Sequence, residues 1–577
     1  MRGLNAYNSR SPSILPKPII DTAAEASRDA KYRNSLLLER VSGSTLATLA
    51  TLGALMTAAP ILVLAALAVS PEAGWDTLRH LATTVLPVAV GQSALLSAIV
   101  LAVVLVLGVG SGWLIAAYEF PGRSVLSWAL VLPLAMPAFV MAHAYTDFMD
   151  TSGPLQTWLR SVTGWSVRQY WFPDVRTLPG AGIFLGLALY PYVYIFARNA
   201  FAERTASLSE AARSLGLSRR ATWWRVTWPV ARPAVAAGCA LVLMETLADF
   251  GTVSYFGVDT LTAAIYRSWQ GLGDKIAAAR LALVLLMLVG GLVWVERRQR
   301  ARMRFFARST RPAPRERLHG GRALRALLLG CLPVVLGFVL PTALLLRAWL
   351  GAETPVDARL AGWIGNTVTL AALAAALIVP VALITAYAAR LVRRPLVSVA
   401  VALACAGYAL PGVVIGVGLM AWIGAIDRAL GMLLLGGTVA AVIYAYGVRF
   451  FSIAYQGLEA ALVRISPTMD QSARSLGLTP LEVLRDVHWP LLRPSLAGAA
   501  LLVFVDCLKE LPATLVLRPF DFDTLAVSAY HLAADERLAE AALPALLIVA
   551  AGLIPVLLLS RLAGRAAAGR SDVQDTI

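Results

Sequence analysis

Apolar runs of roughly 20 residues or more, separated by shorter polar stretches, fill most of the chain, and a helix of that length crosses a hydrocarbon core about 30 Å thick. Twelve such runs lie at 46–70, 87–117, 125–148, 179–200, 230–257, 277–296, 323–349, 366–390, 396–424, 431–455, 492–517 and 541–561. They predict an all-α polytopic membrane protein of about 12 transmembrane helices, because a helix satisfies its own backbone polar groups where no water is present. The polar remainder divides the chain into an N-terminal cytoplasmic segment (1–45), a first transmembrane domain (46–297), an Arg-rich linker (298–322), a second transmembrane domain (323–563) and a cytoplasmic tail (564–577).

The two domains are copies of one unit. Ala212-Arg213-Ser214-Leu215-Gly216-Leu217 recurs 261 residues later as Ala473-Arg474-Ser475-Leu476-Gly477-Leu478, and Trp228-Pro229 and Arg232-Pro233 recur at the same shift as Trp489-Pro490 and Arg493-Pro494. Upstream the shift is 274, pairing Pro121 with Pro395 and Pro137 with Pro411, so the first half carries a net 13 extra residues. These fall in an external loop around 149–178, rich in aromatic residues such as Trp158, Trp165 and Trp171. An even number of spans separates the copies, so they keep one orientation: two parallel repeats of six, with a translocation path between similar halves.

The repeated hexapeptide lies in a loop too polar to span. Ser207 and Glu210 fit a capping box at the start of a short helix, and Thr468 and Gln471 keep that spacing in the second copy. Gly216 and Gly477 suit the left-handed residue that closes such a helix, and Ser218 and Thr479 can cap the next one, the latter with Pro480 at the first position and Glu482 as a capping-box partner. A two-turn helix is marginal in water and needs something to pack against. One reading is a self-packed connector; the other, favoured by duplication on one membrane face, is docking of each loop onto a symmetric partner.

Composition supports the membrane assignment: 58% of the 577 residues are hydrophobic, 15% are charged and mean hydropathy is +0.70. The net charge of +16 concentrates beside the spans, above all in eleven arginines between Arg297 and Arg325, which argues against a nucleic-acid partner. By the positive-inside rule that segment is cytoplasmic, as is the turn with Arg390, Arg393 and Arg394, and twelve spans then place both termini inside. About 45 polar residues precede the first run, so no cleaved leader is expected. The four cysteines each lie alone in apolar segments, indicating neither disulfides nor a thiolate metal site.

Charges retained within the spans are costly, roughly 2.5–3.5 kcal/mol at mid-bilayer on insertion scales. Glu245 and Asp249, one helical turn apart, correspond at the 261 shift to Asp506 and Glu510, with Lys509 adjacent. They read either as an acidic lining for a cationic solute or as ion pairs holding the halves in register. His143 and Asp147 share a face of the third span and read as a polar pair between helices, or as an extension of that path.

At the loops the sequence resembles the permeases of ABC importers, whose signature is Glu-Ala-Ala, three residues, then Gly. Glu210-Ala211-Ala212 followed by Gly216 matches it fully, whereas Gln471-Ser472-Ala473 followed by Gly477 departs at two positions. Met244 to Val253 and Leu508 to Thr514 are similar to fused ferric-iron uptake permeases, whose relatives carry thiamine, phosphonates, polyamines or sulfate. The resemblance implies the type I importer fold in the bacterial inner membrane, two copies of a separate ATPase that hold ATP and Mg, and an external solute-binding protein. It implies no catalytic site and no cofactor on this chain, in keeping with a sequence that carries no Gly-rich phosphate loop, HExxH or GxSxG motif. An ion-coupled secondary transporter is the competing class, but no matched pair of unusually short spans marks the interrupted helices it would use.

Overall fold

The computed structural model describes residues 48, 51–53, 55–70, 79–202, 212–303, 315–351, 357–392, 395–433 and 435–554. Among them the chain is almost wholly helical, and nine helices are long and apolar enough to cross a membrane: Thr51–Ala68, Leu81–Ala117, Leu178–Ala202, Arg220–Ala248, Lys275–Val295, Gly320–Leu350, Leu360–Leu391, Gly412–Leu430 and Pro480–Leu508. A tenth is bent by 90° between Arg123–Ala135 and Ala138–Thr163. One expected span differs in kind: Val439–Val463 is a 25-residue helix that carries Arg449 and Glu459. Of the last expected span, helix Leu538–Ile554 is described, and residues 555–561 lie outside the described residues.

The bend has a local cause. Proline disfavours helical geometry in the residue before it. Met136, before Pro137, is extended at φ −92°, ψ 114°, and Leu410, before Pro411, at φ −81°, ψ 134°. The continuous runs 125–148 and 396–424 are therefore broken at equivalent points of the two halves, so matched interrupted helices are present although no short spans marked them in the sequence, and that ground for setting aside an ion-coupled transporter falls. The fifth span of each half also stops early, at Ala248 and Leu508, and short helices Gly251–Tyr255 and Pro512–Leu517 come next.

Each half lends its first helix to the other. In Thr51–Ala68, Met56 accepts a hydrogen bond from the Tyr444 hydroxyl, and the Pro60 carbonyl lies 2.5 Å from where a Cβ on Gly418 would stand. Reciprocally, the Leu336 carbonyl in Gly320–Leu350 accepts from the Tyr145 hydroxyl at 2.5 Å, and Gly337 packs against Pro133 and the Leu187 carbonyl. Glycine at these crossings lets the backbones approach, as small residues do in membrane helix packing.

At the expected linker, helix Lys275–Met303 runs on past residue 297, with Arg298 over the Trp294 ring at 3.7 Å, and helix Gly320–Val334 begins inside the linker's range. Between them Glu316–Arg317 pairs in parallel with Tyr118–Glu119, a two-stranded element absent from the sequence expectation. Segments 1–45 and 564–577 lie outside the described residues.

Overpacking a tight site typically costs about 1–3 kcal/mol. Gly418→Leu and Gly337→Leu are each expected to lower the thermal unfolding midpoint in detergent, whereas Gly498→Leu, where a Cβ meets nothing within 4 Å, leaves it unchanged.

Candidate functional site

The four repeated carboxylates divide into two pairs with different work. Asp249 lies beyond the helix that holds Glu245, in extended geometry at φ −65°, ψ 133°, so the two are not one helical face as the spacing predicts. Its carboxylate accepts the N–H groups of Thr252 and Val253 at 3.0 and 3.1 Å and the Thr252 hydroxyl at 3.0 Å. Glu510 does the same in the second half, accepting the N–H groups of Ala513 and Thr514 at 3.2 and 3.1 Å and the Thr514 hydroxyl at 3.0 Å. Both satisfy free amides at the start of a short helix, where a negative charge is also favoured by the helix dipole.

Glu245 and Asp506, the other pair, sit in the last turn of the preceding helices and line an open cavity of about 170 Å³ between the halves, as do Asp249, Lys509 and Glu510. Three residues that the repeat did not point to complete it: Tyr192, Tyr408 and Arg449. The Tyr408 hydroxyl donates to Glu245 across the two halves at 3.2 Å, and Tyr192 lines the same cavity. Lys509 holds Asp506 at 2.9 Å, and Arg449 lies 3.8 Å from Glu510. Gly412 makes room for the latter pair, since a Cβ there would stand 2.6 Å from the Glu510 carboxylate and 3.1 Å from the Arg449 guanidinium. Four carboxylates against two cations leave the lining formally at −2. Ala188 and Ala248 occupy the first-half positions equivalent to Arg449 and Lys509, so both cations come from the second half. Among the described residues no cluster of three His, Cys, Asp or Glu is arranged to hold a metal ion.

His143 and Asp147 do not pair. The imidazole Nδ1 donates to the Phe139 carbonyl and the ring stacks on Tyr255 at 3.7 Å.

Of the first repeated loop, expected to dock a partner, Ser207, Glu210 and Ala211 lie outside the described residues. From Ala212 onward the loop matches its second copy closely. Ala212 and Ala473 are buried, Gly216 and Gly477 are left-handed at φ +84° and +86°, and the Leu217 and Leu478 N–H groups close the turn onto the Ala212 and Ala473 carbonyls. Leu215 and Leu476 are 84% and 83% exposed. In helix Pro467–Ser475 the cap is Ser466 rather than Thr468: its hydroxyl accepts the Thr468 N–H at 3.3 Å. Pro467, lacking an N–H, takes the first helical position, so the cap must precede it. Gln471 thus falls too deep in the helix to serve a capping box, and Ser472 beside it is exposed. The next helix keeps its expected box, Thr479 N–H to Glu482 at 2.7 Å, while Ser218 accepts the Ala221 N–H at 3.2 Å.

The loops are fastened differently. Asp470 is gripped by Arg390 at 2.9 Å and lies 2.7 Å from the fully buried His488, and Arg390 also binds the Ile465 carbonyl at 2.9 Å. The first loop uses rings instead, with Trp223 at 6.0 Å from Trp113 and stacked on Trp228 at 5.7 Å.

A family model described as binding-protein-dependent transport system inner membrane component matches residues 105–296. The Fe(3+)-transport system permease protein of Haemophilus influenzae is 27% identical over 471 residues, covering 79% of this chain and 86% of that protein. The chain is thus similar, over most of its length, to the binding-protein-dependent permeases of ABC importers. Other relatives are shorter: the molybdenum transport system permease protein of Escherichia coli K12 is 26% identical over 31% of this chain and 79% of its own length, and the sulfate transport system permease protein of the same organism is 27% identical over 32% and 64%. The matched family is a transport component of the inner membrane.

Loss of a helix cap costs about 1–2 kcal/mol. Asp249→Ala and Glu510→Ala are therefore expected to lower stability in detergent by about that amount, with Asp249→Asn losing less, while Glu245→Gln leaves the unfolding midpoint near that of the parent.

Proposed function

We propose that this permease forms the translocation path for ferric iron delivered by an external solute-binding protein. The observation that carries the reading is the central pocket, with its formal charge of −2 and a lining of carboxylate and phenol oxygens. A hard trivalent cation favours oxygen donors, and too complete a coordination sphere would hold it rather than pass it. Sulfate, the oxyanion named for a shorter relative, would have to draw on Arg449 and Lys509, both of which already face a carboxylate.

Coupling runs through the two cytoplasmic loops to two copies of an ABC ATPase, which bind ATP and Mg, with both termini on the cytoplasmic side. Leu215 and Leu476 stand in water at matched positions of the two loops, as anchors for a groove on a partner would. ATP drives the cycle only if it favours one arrangement of the halves over the other. The partly buried grip of Arg390 on Asp470 carries motion of the second loop into helix Leu360–Leu391.

Deleting 203–228 is expected to abolish co-purification of the ATPase through that half, and Leu476→Ser to weaken it through the other; unchanged binding in both variants contradicts the docking role. In vesicles holding the complete importer, Glu245→Gln with Asp506→Asn should cut ferric uptake by about tenfold or more, equivalent to roughly 1.4 kcal/mol of differential interaction. Undiminished uptake of ferric iron, or a gain in uptake of sulfate or molybdate alone, would sink the cation reading.

A further inference from the structure

A second polar recess, far in character from the central pocket, opens beside the strand pair that joins the halves. It has a volume of about 610 Å³ and is lined by Arg317, His319, Arg322 and Arg325 with one carboxylate, Glu316, so the cations outnumber the acid by three arginines to one. Arg315 stands nearby, 3.5 Å from Glu119, which also holds Arg123 at 3.6 Å, so this acid already faces two guanidinium groups. The translocation path and the docking loops use none of the residues that line the recess.

The residues next to the arginines decide what they bind. On helix Gly320–Val334, Arg325, Leu328, Leu329 and Leu332 stand at i, i+3, i+4 and i+7 and so form one stripe. The three leucines are 60%, 65% and 49% exposed, while Ala323, Ala326 and Gly330 on the other side are buried, Gly330 against Leu126 of the first half. In a membrane helix, leucines so exposed face acyl chains. The stripe therefore changes from guanidinium to lipid-facing leucine within one turn, at the level where headgroup meets hydrocarbon. A partner in water would meet the arginines but has no use for the leucines below them.

We propose that this recess holds one anionic phospholipid, its phosphate diester among Arg317, Arg322 and Arg325 and an acyl chain along Leu328, Leu329 and Leu332. Guanidinium groups suit phosphate oxygens by charge and by paired donors, and basic pockets between membrane helices favour anionic headgroups. The recess is lined by residues 316–325 alone, and its Glu316–Arg317 edge is the strand that pairs with Tyr118–Glu119 of the first half. The inference is independent of which solute is carried.

The test uses the purified full-length permease in neutral detergent, to which phosphatidylglycerol, phosphatidylcholine or inorganic phosphate is added. Retained lipid is read by native mass spectrometry and stability by the unfolding midpoint. Phosphatidylglycerol should bind at about one per chain and raise the midpoint, with little effect of phosphatidylcholine or phosphate. R317Q/R322Q/R325Q should bind it at least about tenfold more weakly, a difference of roughly 1.4 kcal/mol or more, and the corresponding triple lysine variant should recover part of that binding. Leu329→Ser should weaken phosphatidylglycerol retention while leaving the midpoint without lipid unchanged; single R322Q serves where the triple variant does not fold. Equal phosphatidylglycerol binding by parent and variants overturns the proposal. So does inorganic phosphate binding as tightly as the lipid, which marks a free-anion site, or loss of ATPase co-purification from the arginine variants in lipid-free detergent, which marks a protein contact.

Discussion

Inside a bilayer a helix that stops must find partners for its free amides within the protein, since neither lipid nor water supplies them. Asp249 and Glu510 meet that demand where the fifth span of each half ends, and the central cavity depends on them. The chain can leave helical geometry there because a carboxylate takes the next amides. The turn that results exposes Glu245 and Asp506 at the ends of their helices. The breaks before Pro137 and Pro411 bring a second pair of interrupted helices to the same cavity, whose lining includes Pro137 and Tyr408.

The cavity is symmetric in its caps and asymmetric in its cations. A duplicated unit would supply matching charges, yet Arg449 and Lys509 correspond to alanines in the other copy. The repeated loops differ in the same spirit, one held by stacked indoles and the other by a partly buried arginine and aspartate beside a buried histidine. Indole packing is insensitive to small rotations, whereas a guanidinium grip is directional. The two loops are therefore held to their helices by contacts of different directionality.

Repeats and periodicity encode local residue types, and that sets how much of the fold and the site was legible in the sequence. The spans, the duplication, the left-handed Gly216 and Gly477 and the Thr479 box all depend on such local types and were readable. The division of the four carboxylates was not: helical spacing assigns Glu245 and Asp249 to one face, and only the chain's exit from the helix after Ala248 separates them. Arg449 and Tyr192 escaped because reading by repeat favours positions that match, and these do not. Tyr408, three residues before Pro411, carried a local signal in the break that proline imposes. The box spacing points to Thr468 as the cap, but Pro467 by itself marks the first helical position and so hands the cap to Ser466.

The exchange of first helices has a consequence for how the protein is made. Met56 waits for Tyr444, a partner 388 residues further along the chain. At synthesis rates of about 5–20 residues per second, that interval is on the order of 20–80 s. For that time Thr51–Ala68 resides in the membrane without its final neighbour, which its mean hydropathy of 2.1 permits. Fusion of the halves keeps that helix tethered near its eventual site, so assembly becomes an intramolecular closure whose success does not depend on the concentration of a second chain.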